Sequence, residues 1–298
     1  MSWFGLRRSR PVCFVYAPAF AQTGSTAMRG RQLSEIAAQT SLAGRGVSYV
    51  PMSADIRRSD LFLTKGVLKS LDETTLAAWR RRGNRLFADP VDEGLSNQIV
   101  ASVDVVVAAS RTAWDAYRDR WPGAQVAIID HHVDPRVHAV MNRPHAPLDA
   151  PRLGYFGERI NTIRSKRIAR NVEFVQVSTS RADGDWIGRL PDYNIHYAIR
   201  RKRELDYHKP FLKGFTAAAC RSVVLIQDDQ AEARRWLPSD YPFWLHGRVT
   251  EPAILEAIEH IKSSFGGEAW TQALSMMRDI EERTSPRAIG GQLVTLFA

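Results

Sequence analysis

The sequence predicts an α/β protein built as two open parallel-sheet domains that face each other across a cleft. Three observations carry this reading. The chain has 298 residues, and single hydrophobic cores stop growing near that size, so two domains of about 150 residues are expected. Short apolar runs alternate with stretches of helical period, the pattern of parallel strands joined by helical crossovers. The alternation lapses between Val133 and Arg152, a stretch with four prolines and no apolar period, and then restarts; this stretch reads as a linker.

In the first half, Val12 to Ala17 lies between Pro11 and Pro18 and suits a buried strand. A small, polar loop from Ala19 to Thr26 leads into a helix from Met28, with Leu33, Ile36, Ala37 and Leu42 at helical spacing and Gly44 and Gly46 as its stop. Strands are then expected at Val47 to Met52, Leu61 to Thr64, Arg85 to Ala88, Val103 to Ala109 and Gln125 to Asp130. Helices are expected between them at Leu68 to Arg82, Glu93 to Ser102 and Thr112 to Trp121. In the second half the strands are Arg152 to Phe156, Val172 to Val177, Tyr193 to Ile199 and Val223 to Gln227, with helices near Ile160 to Ala169 and at Glu232 to Leu237. From Pro252 to Glu282 the chain reads as wholly helical, and a last helix after Pro286 is expected to reach back to the first domain. The expected division is thus residues 1–140, 151–285 and a terminal helix at 286–298.

Composition narrows the class. With 44% hydrophobic and 24% charged residues the chain is globular in character. No run reaches the ~18 apolar residues of a membrane span, and Met1 to Arg10 has no apolar core before a cleavage site. Cys13 and Cys220 sit in or beside apolar runs and read as buried free thiols, so a cytoplasmic protein is expected. The net charge of +9 favours an anionic partner. Its densest basic clusters, Arg159 to Arg170 and Arg200 to Arg203, lack the interleaved aromatics of a single-strand stacking platform, so no nucleic acid is expected.

Two consecutive open α/β sheets bind ligands beyond the carboxyl ends of their strands. The loops there offer Gly24 and Ser25 with Arg29 and Arg31 after the first strand, a set of amides, hydroxyls and guanidiniums suited to phosphate or sugar hydroxyls. Asp89, Asp92 and Asp130 follow later strands beside His131 and His132, and any of these could supply the base of a group transfer. No metal-ligand spacing and no Gly-x-Ser-x-Gly, His-Glu-x-x-His or Gly-x-Gly-x-x-Gly motif occurs, which removes support for hydrolase, zincin and NAD chemistry.

The segment Lys209-Pro210-Phe211-Leu212-Lys213-Gly214-Phe215-Thr216-Ala217-Ala218-Ala219-Cys220 with the following strand resembles the donor-binding helix of GT-B-fold glycosyltransferases, two-domain proteins of Rossmann-like halves. Leu153-Gly154-Tyr155-Phe156-Gly157 with Asn161, and Ser239-Asp240-Tyr241-Pro242-Phe243, are similar to segments of the same family. The resemblance implies a glycosyltransferase that needs no cofactor or metal. Its donor would be a nucleotide-diphosphate sugar, and its acceptor a glycan, a lipid-linked sugar or another hydroxyl. It also implies an acceptor-side first domain, a donor-side second domain and peripheral work at the anionic inner face of a membrane. The donor set would be Lys209, Lys213, Gly157, Asn161 and Thr216, with Gly24, Ser25 and Arg29 from the first domain. Many retaining members carry a glutamate pair where this chain has His208 and Thr216, and Asp228 could replace the missing ribose carboxylate. Two alternatives stand beside this: an epimerase or hydrolase of the same fold, and a binding protein without catalysis.

Overall fold

The structure is a computed structural model and describes residues 9–53, 55–177, 185–201 and 208–298. Strands β1 (Val12–Tyr16), β2 (Val47–Pro51), β3 (Asp60–Leu63), β4 (Arg85–Ala88), β5 (Val105–Ala108) and β6 (Val126–Ile128) form an all-parallel sheet in the order β2-β1-β3-β4-β5-β6. A second parallel sheet contains β7 (Leu153–Gly157), β8 (Val172–Gln176), β9 (Ile195–Tyr197), β10 (Val223–Gln227) and β11 (Trp244–Leu245), in the order β11-β10-β9-β7-β8. Each sheet starts at an interior strand, sends the second strand to one side and then crosses back. Each therefore has a topological switch point, between β1 and β3 in one sheet and between β7 and β9 in the other.

Several helices differ from the sequence expectation, each for a local reason. The helix after β1 begins at Gly24, capped by Thr23 Oγ1, and runs through a π-helical segment Ala27–Gln32 into Leu33–Ala37. The expected helix Leu68 to Arg82 is two, Lys65–Ser70 and Glu73–Arg81, because the Asp72 carboxylate accepts the Thr75 N–H and restarts it. The expected helix from Glu93 starts only at Asn97, where Ser96 caps it. Inside the expected linker lies a helix, Pro135–Met141, with Asp134 as its cap and proline at its first position. Ile160 to Ala169 is not one helix but two short 3-10 turns, and the stretch from Glu232 keeps only the turn Ala233–Arg235. The long C-terminal helix breaks at Gly266, φ +73°, into Glu251–Ser263 and Glu268–Arg283. Lys202 and Arg203 of the expected basic cluster, like Met1–Arg8, lie outside the described residues.

The last helix, Pro286–Leu296, lies on the first sheet. Its Ile289 and Leu293 join a cluster with Phe14, Phe62 and Phe87, and Phe297 sits edge-on to all three rings, 4.9 Å from Phe87. Gly290 permits this approach, since a Cβ there would come within 2.8 Å of Thr40 Cγ2. Residues C-terminal to the second sheet thus complete the core of the first.

Candidate functional site

The loops beyond both switch points line one cavity of about 1140 Å³. From the first sheet come Gly24, Ser25 and Met28 after β1, and Lys65 and Gly66 after β3. Across from them stand Gly157, Glu158 and Asn161 after β7, and Ala198 and Arg200 after β9. Gly66 is small of necessity, because Phe20 covers it and a Cβ there would come within 2.6 Å of the Phe20 Cβ. The fold thereby brings backbone from four strand ends to a common space.

On the second-sheet side, the helix Leu212–Ala219 follows Lys209 and Pro210. Its buried face is Gly214, Phe215, Ala217 and Ala218, and Gly214 seats the Phe211 ring where any Cβ would collide. Its other face turns Lys213 and Thr216 to the cavity, where Lys209 also lies. The Lys213 ammonium donates to the Phe156 carbonyl and stands 4.1 Å from the centroid of the Tyr155 ring. Burial, with the positive Arg200 nearby, brings its pKa down to about 7. A Cβ at Gly157 would come within 2.8 Å of Lys213 Nζ, so glycine is what lets the ammonium pass beneath this turn. Asn161 Nδ2 donates to Glu158 Oε2 at 3.1 Å, which fixes the amide orientation and leaves Oδ1 buried without a partner. Gln227 holds Arg200 by both ends of its amide, accepting its N–H at 2.8 Å and donating to its C=O at 3.0 Å.

The base candidates separate by burial. His131 lines the cavity; its Nδ1 donates to the His132 carbonyl at 3.0 Å, so Nε2 carries the lone pair. Burial and Arg29 hold its pKa down at about 3, and the ring is neutral at working pH. His132 turns the other way, donating Nε2 to Gln32 Oε1 at 3.0 Å, and does not reach the cavity. Asp89 and Arg29, expected in the cleft, are instead a fully buried pair at 2.7 Å beneath it. Arg29 also donates to the Asp130 carbonyl at 3.2 Å, and Asp89 accepts the Val91 N–H, which holds Val91 at φ 62°, a rare conformation for a β-branched residue. Asp130 is committed to Arg111 and Gln292, each at 3.0 Å. Asp92 does line the cavity, but paired with Lys65 at 2.6 Å.

Asp228, expected to replace a ribose carboxylate, turns away and accepts from His246 at 2.9 Å, whereas its neighbour Asp229 lines the cavity. Sequence reasoning missed Lys65, Glu158, Trp186, Arg200, Gln227 and Glu232, all of them lining residues. Glu232 does not serve a ligand: its two oxygens accept from the Arg111 and Thr112 N–H groups, Thr112 Oγ1 and Trp236 Nε1, at 2.9–3.1 Å. A carboxylate from the second half thereby caps the helix Arg111–Arg120 of the first, and Ser110 Oγ adds a bond to the His208 carbonyl at 2.7 Å. These contacts join the two sides behind the cavity.

No protein-family model and no curated protein matches this sequence. Solved structures do match its fold. A glycosyltransferase from Rickettsia africae is similar over 97% of this chain and 98% of its own, with a TM-score of 0.66 at 9% identity. An E. coli trehalose-6-phosphate structure bound with UDP-2-fluoro glucose aligns over 90% and 77% of the two chains, TM-score 0.53 at 9% identity. Staphylococcus aureus TarM in complex with UDP aligns over 80% of this chain and 55% of its own, TM-score 0.53 at 10% identity. At such identities the likeness is one of fold, and the fold of this chain is that of the GT-B glycosyltransferases.

Proposed function

We propose that the protein is a glycosyltransferase that moves a sugar from a nucleotide-diphosphate sugar to a hydroxyl acceptor, without a bound metal. The observation that carries this reading is the convergence of both switch points on one cavity whose second-sheet side holds Lys209, Lys213 and Arg200. That is the wall on which a diphosphate would find positive charge. Residues 151–285 form the donor domain in this reading, residues 1–140 the acceptor domain, and 286–298 a strap that returns to the latter.

The diphosphate lies against Lys209, Lys213 and the turn after Gly157. Asn161 Oδ1 and Thr216 accept or donate to the nucleotide, Asp229 takes the ribose role expected of Asp228, and Trp186 offers a face for the base. Gly24 and Ser25 meet the sugar or acceptor from across the cavity. His131 Nε2 accepts the hydrogen bond of the acceptor hydroxyl and orients it; as the new C1–O bond forms and the C1–O bond to the diphosphate breaks, the proton passes to the departing diphosphate oxygen, whose remaining charge falls on Lys213 and Arg200. A glycan or lipid-linked acceptor is in keeping with the basic run Arg159, Arg164, Lys166, Arg167 and Arg170 around Ile160, which is 63% exposed. This run supports peripheral contact with an anionic membrane at its cytoplasmic face.

The test is release of nucleoside diphosphate from UDP-, GDP-, ADP- and dTDP-hexoses, with and without methyl glycosides and a polyprenyl phosphate as acceptors. Acceptor-dependent release is expected with one donor class. His131→Ala should lower it by about 10²-fold, through lost positioning of the acceptor, while leaving donor binding in place. Release that ignores the acceptor would assign a hydrolase. Binding without release would assign a binding protein, the reading that Thr216 in place of the family carboxylate favours.

A further inference from the structure

We infer that the acceptor is an uncharged sugar seated on the first-sheet wall of the cavity, and that Asp92 enforces this selectivity by keeping Lys65 from anions. The inference rests on the glycosyltransferase reading above and adds the chemical class of its acceptor. Its ground is the balance of charge on that wall. Lys65 Nζ donates to Asp92 Oδ1 at 2.6 Å and lies 2.9 Å from Glu93 Oε1, and Lys69 Nζ donates to the same Glu93 oxygen at 2.9 Å. Two ammoniums thus meet two carboxylates in one ladder, with Lys65, Lys69 and Asp92 all lining the cavity. Where the first domain ends, Arg136 also reaches the cavity, gripped by both oxygens of Asp134 at 2.6–3.2 Å. Each of these cations is matched by a carboxylate, and His131 beside them is neutral.

An anion gains little from such a wall. Glu93 is held down at about 2 by its bonds to Lys65 and Lys69, so it stays charged at any working pH. A phosphate brought to Lys65 would stand beside that carboxylate across a single ammonium, and like charges so placed repel. A neutral sugar meets no such cost. Its hydroxyls can bond to the donors and acceptors that the pairs leave over, and its C–H faces can lie on Phe20, Met28 and Val91 of the same cavity.

The turn that carries Asp92 is preset. Asp89, buried against Arg29, accepts the Val91 N–H and holds Val91 at φ 62°. A β-branched residue is strained there, and such strain persists only where the surroundings impose it, typically at ligand sites. Here the strained residue lines the cavity and the next one pairs with Lys65. The carboxylate that neutralises Lys65 is therefore fixed from beneath, before any acceptor arrives.

Transfer from UDP-, GDP-, ADP- and dTDP-hexoses to methyl glycosides is compared with transfer to the same glycosides carrying a 6-phosphate, and to a polyprenyl phosphate. Neutral glycosides should exceed their phosphorylated counterparts by about tenfold or more in kcat/KM. Asp92→Asn with Glu93→Gln keeps the side-chain shapes and releases both lysines, and should raise the phosphorylated-to-neutral ratio by about tenfold or more. The ratio is taken within one protein sample, so a partly unfolded variant does not disturb it. Adding Lys65→Met and Lys69→Met should cancel the gain. A wild type that prefers a phosphorylated acceptor, or a ratio that the substitutions leave unmoved, overturns the inference and leaves the glycosyltransferase standing. Transfer to none of these acceptors overturns both.

Discussion

Arg29→Leu is expected to destabilise the protein by about 3–5 kcal/mol, among the largest single costs in the chain. Arg29 and Asp89 are both inaccessible to solvent and meet at 2.7 Å. Burial pushes the Asp89 carboxyl above the usual range, and Arg29 is the charge that pulls it back. Removing the guanidinium strands that carboxylate and also frees the Asp130 carbonyl at the end of the first sheet. The double substitution Arg29→Leu with Asp89→Leu removes both charges and should restore most of the loss, because a buried ion pair replaced by apolar side chains is often neutral. Urea unfolding of the wild type, both single variants and the double variant checks this. A double variant less stable than Arg29→Leu would show that the two residues do not act as a charge pair.

Acid should weaken this protein before most of its carboxylates titrate. His131 and His196 are held down at about 3, and His132 well below its usual range, chiefly by burial. In the unfolded chain these rings take protons below about pH 6.5. The unfolded state then binds more protons than the folded one, and stability falls as pH falls. Each ring costs about 1.4 kcal/mol per pH unit, so three together remove roughly 4 kcal/mol between pH 6 and pH 5, a large share of an ordinary domain's stability. Lys213 does not blur the test, since it is charged in both states below pH 6. Glu93, held down at about 2 by Lys65 and Lys69, acts only below pH 4.5. An unfolding midpoint in urea unchanged from pH 7 to pH 5 would contradict the account of these histidines.

The two parallel sheets were legible in the sequence because their strands are short apolar runs, such as Val12 to Tyr16 and Val223 to Gln227, buried on both faces. Strand order was not legible, since nothing local records that β1 lies between β2 and β3. For that reason the lining residues Lys65 and Arg200, set by the crossovers at the two switch points, were not named as site residues, while Gly24, Gly157 and Lys213, next to recognisable strands and helices, were named and do line the cavity. Some misplacements had readable signals. Arg29 stands four and seven residues before Leu33 and Ile36, on the apolar stripe of its own helix, and that stripe faces the core. Asp134-Pro135 is a helix start inside the supposed linker. Other choices had none: neighbours such as His131 and His132, or Asp228 and Asp229, point to different sides, and only the fold decides which one meets the cavity.

The central claim is that a nucleoside diphosphate seats in the cleft against Lys213. Its most direct test is unfolding temperature with and without the five nucleoside diphosphates at pH 7, for the wild type and Lys213→Met. At about 100 times its dissociation constant the right nucleotide should add roughly 2.7 kcal/mol to the wild type, and the variant, folded and of equal or greater stability when empty, should gain little. Stabilisation of wild type and variant alike would remove Lys213 from the site, and a folded wild type that responds to none of the five would contradict the donor-site account as a whole.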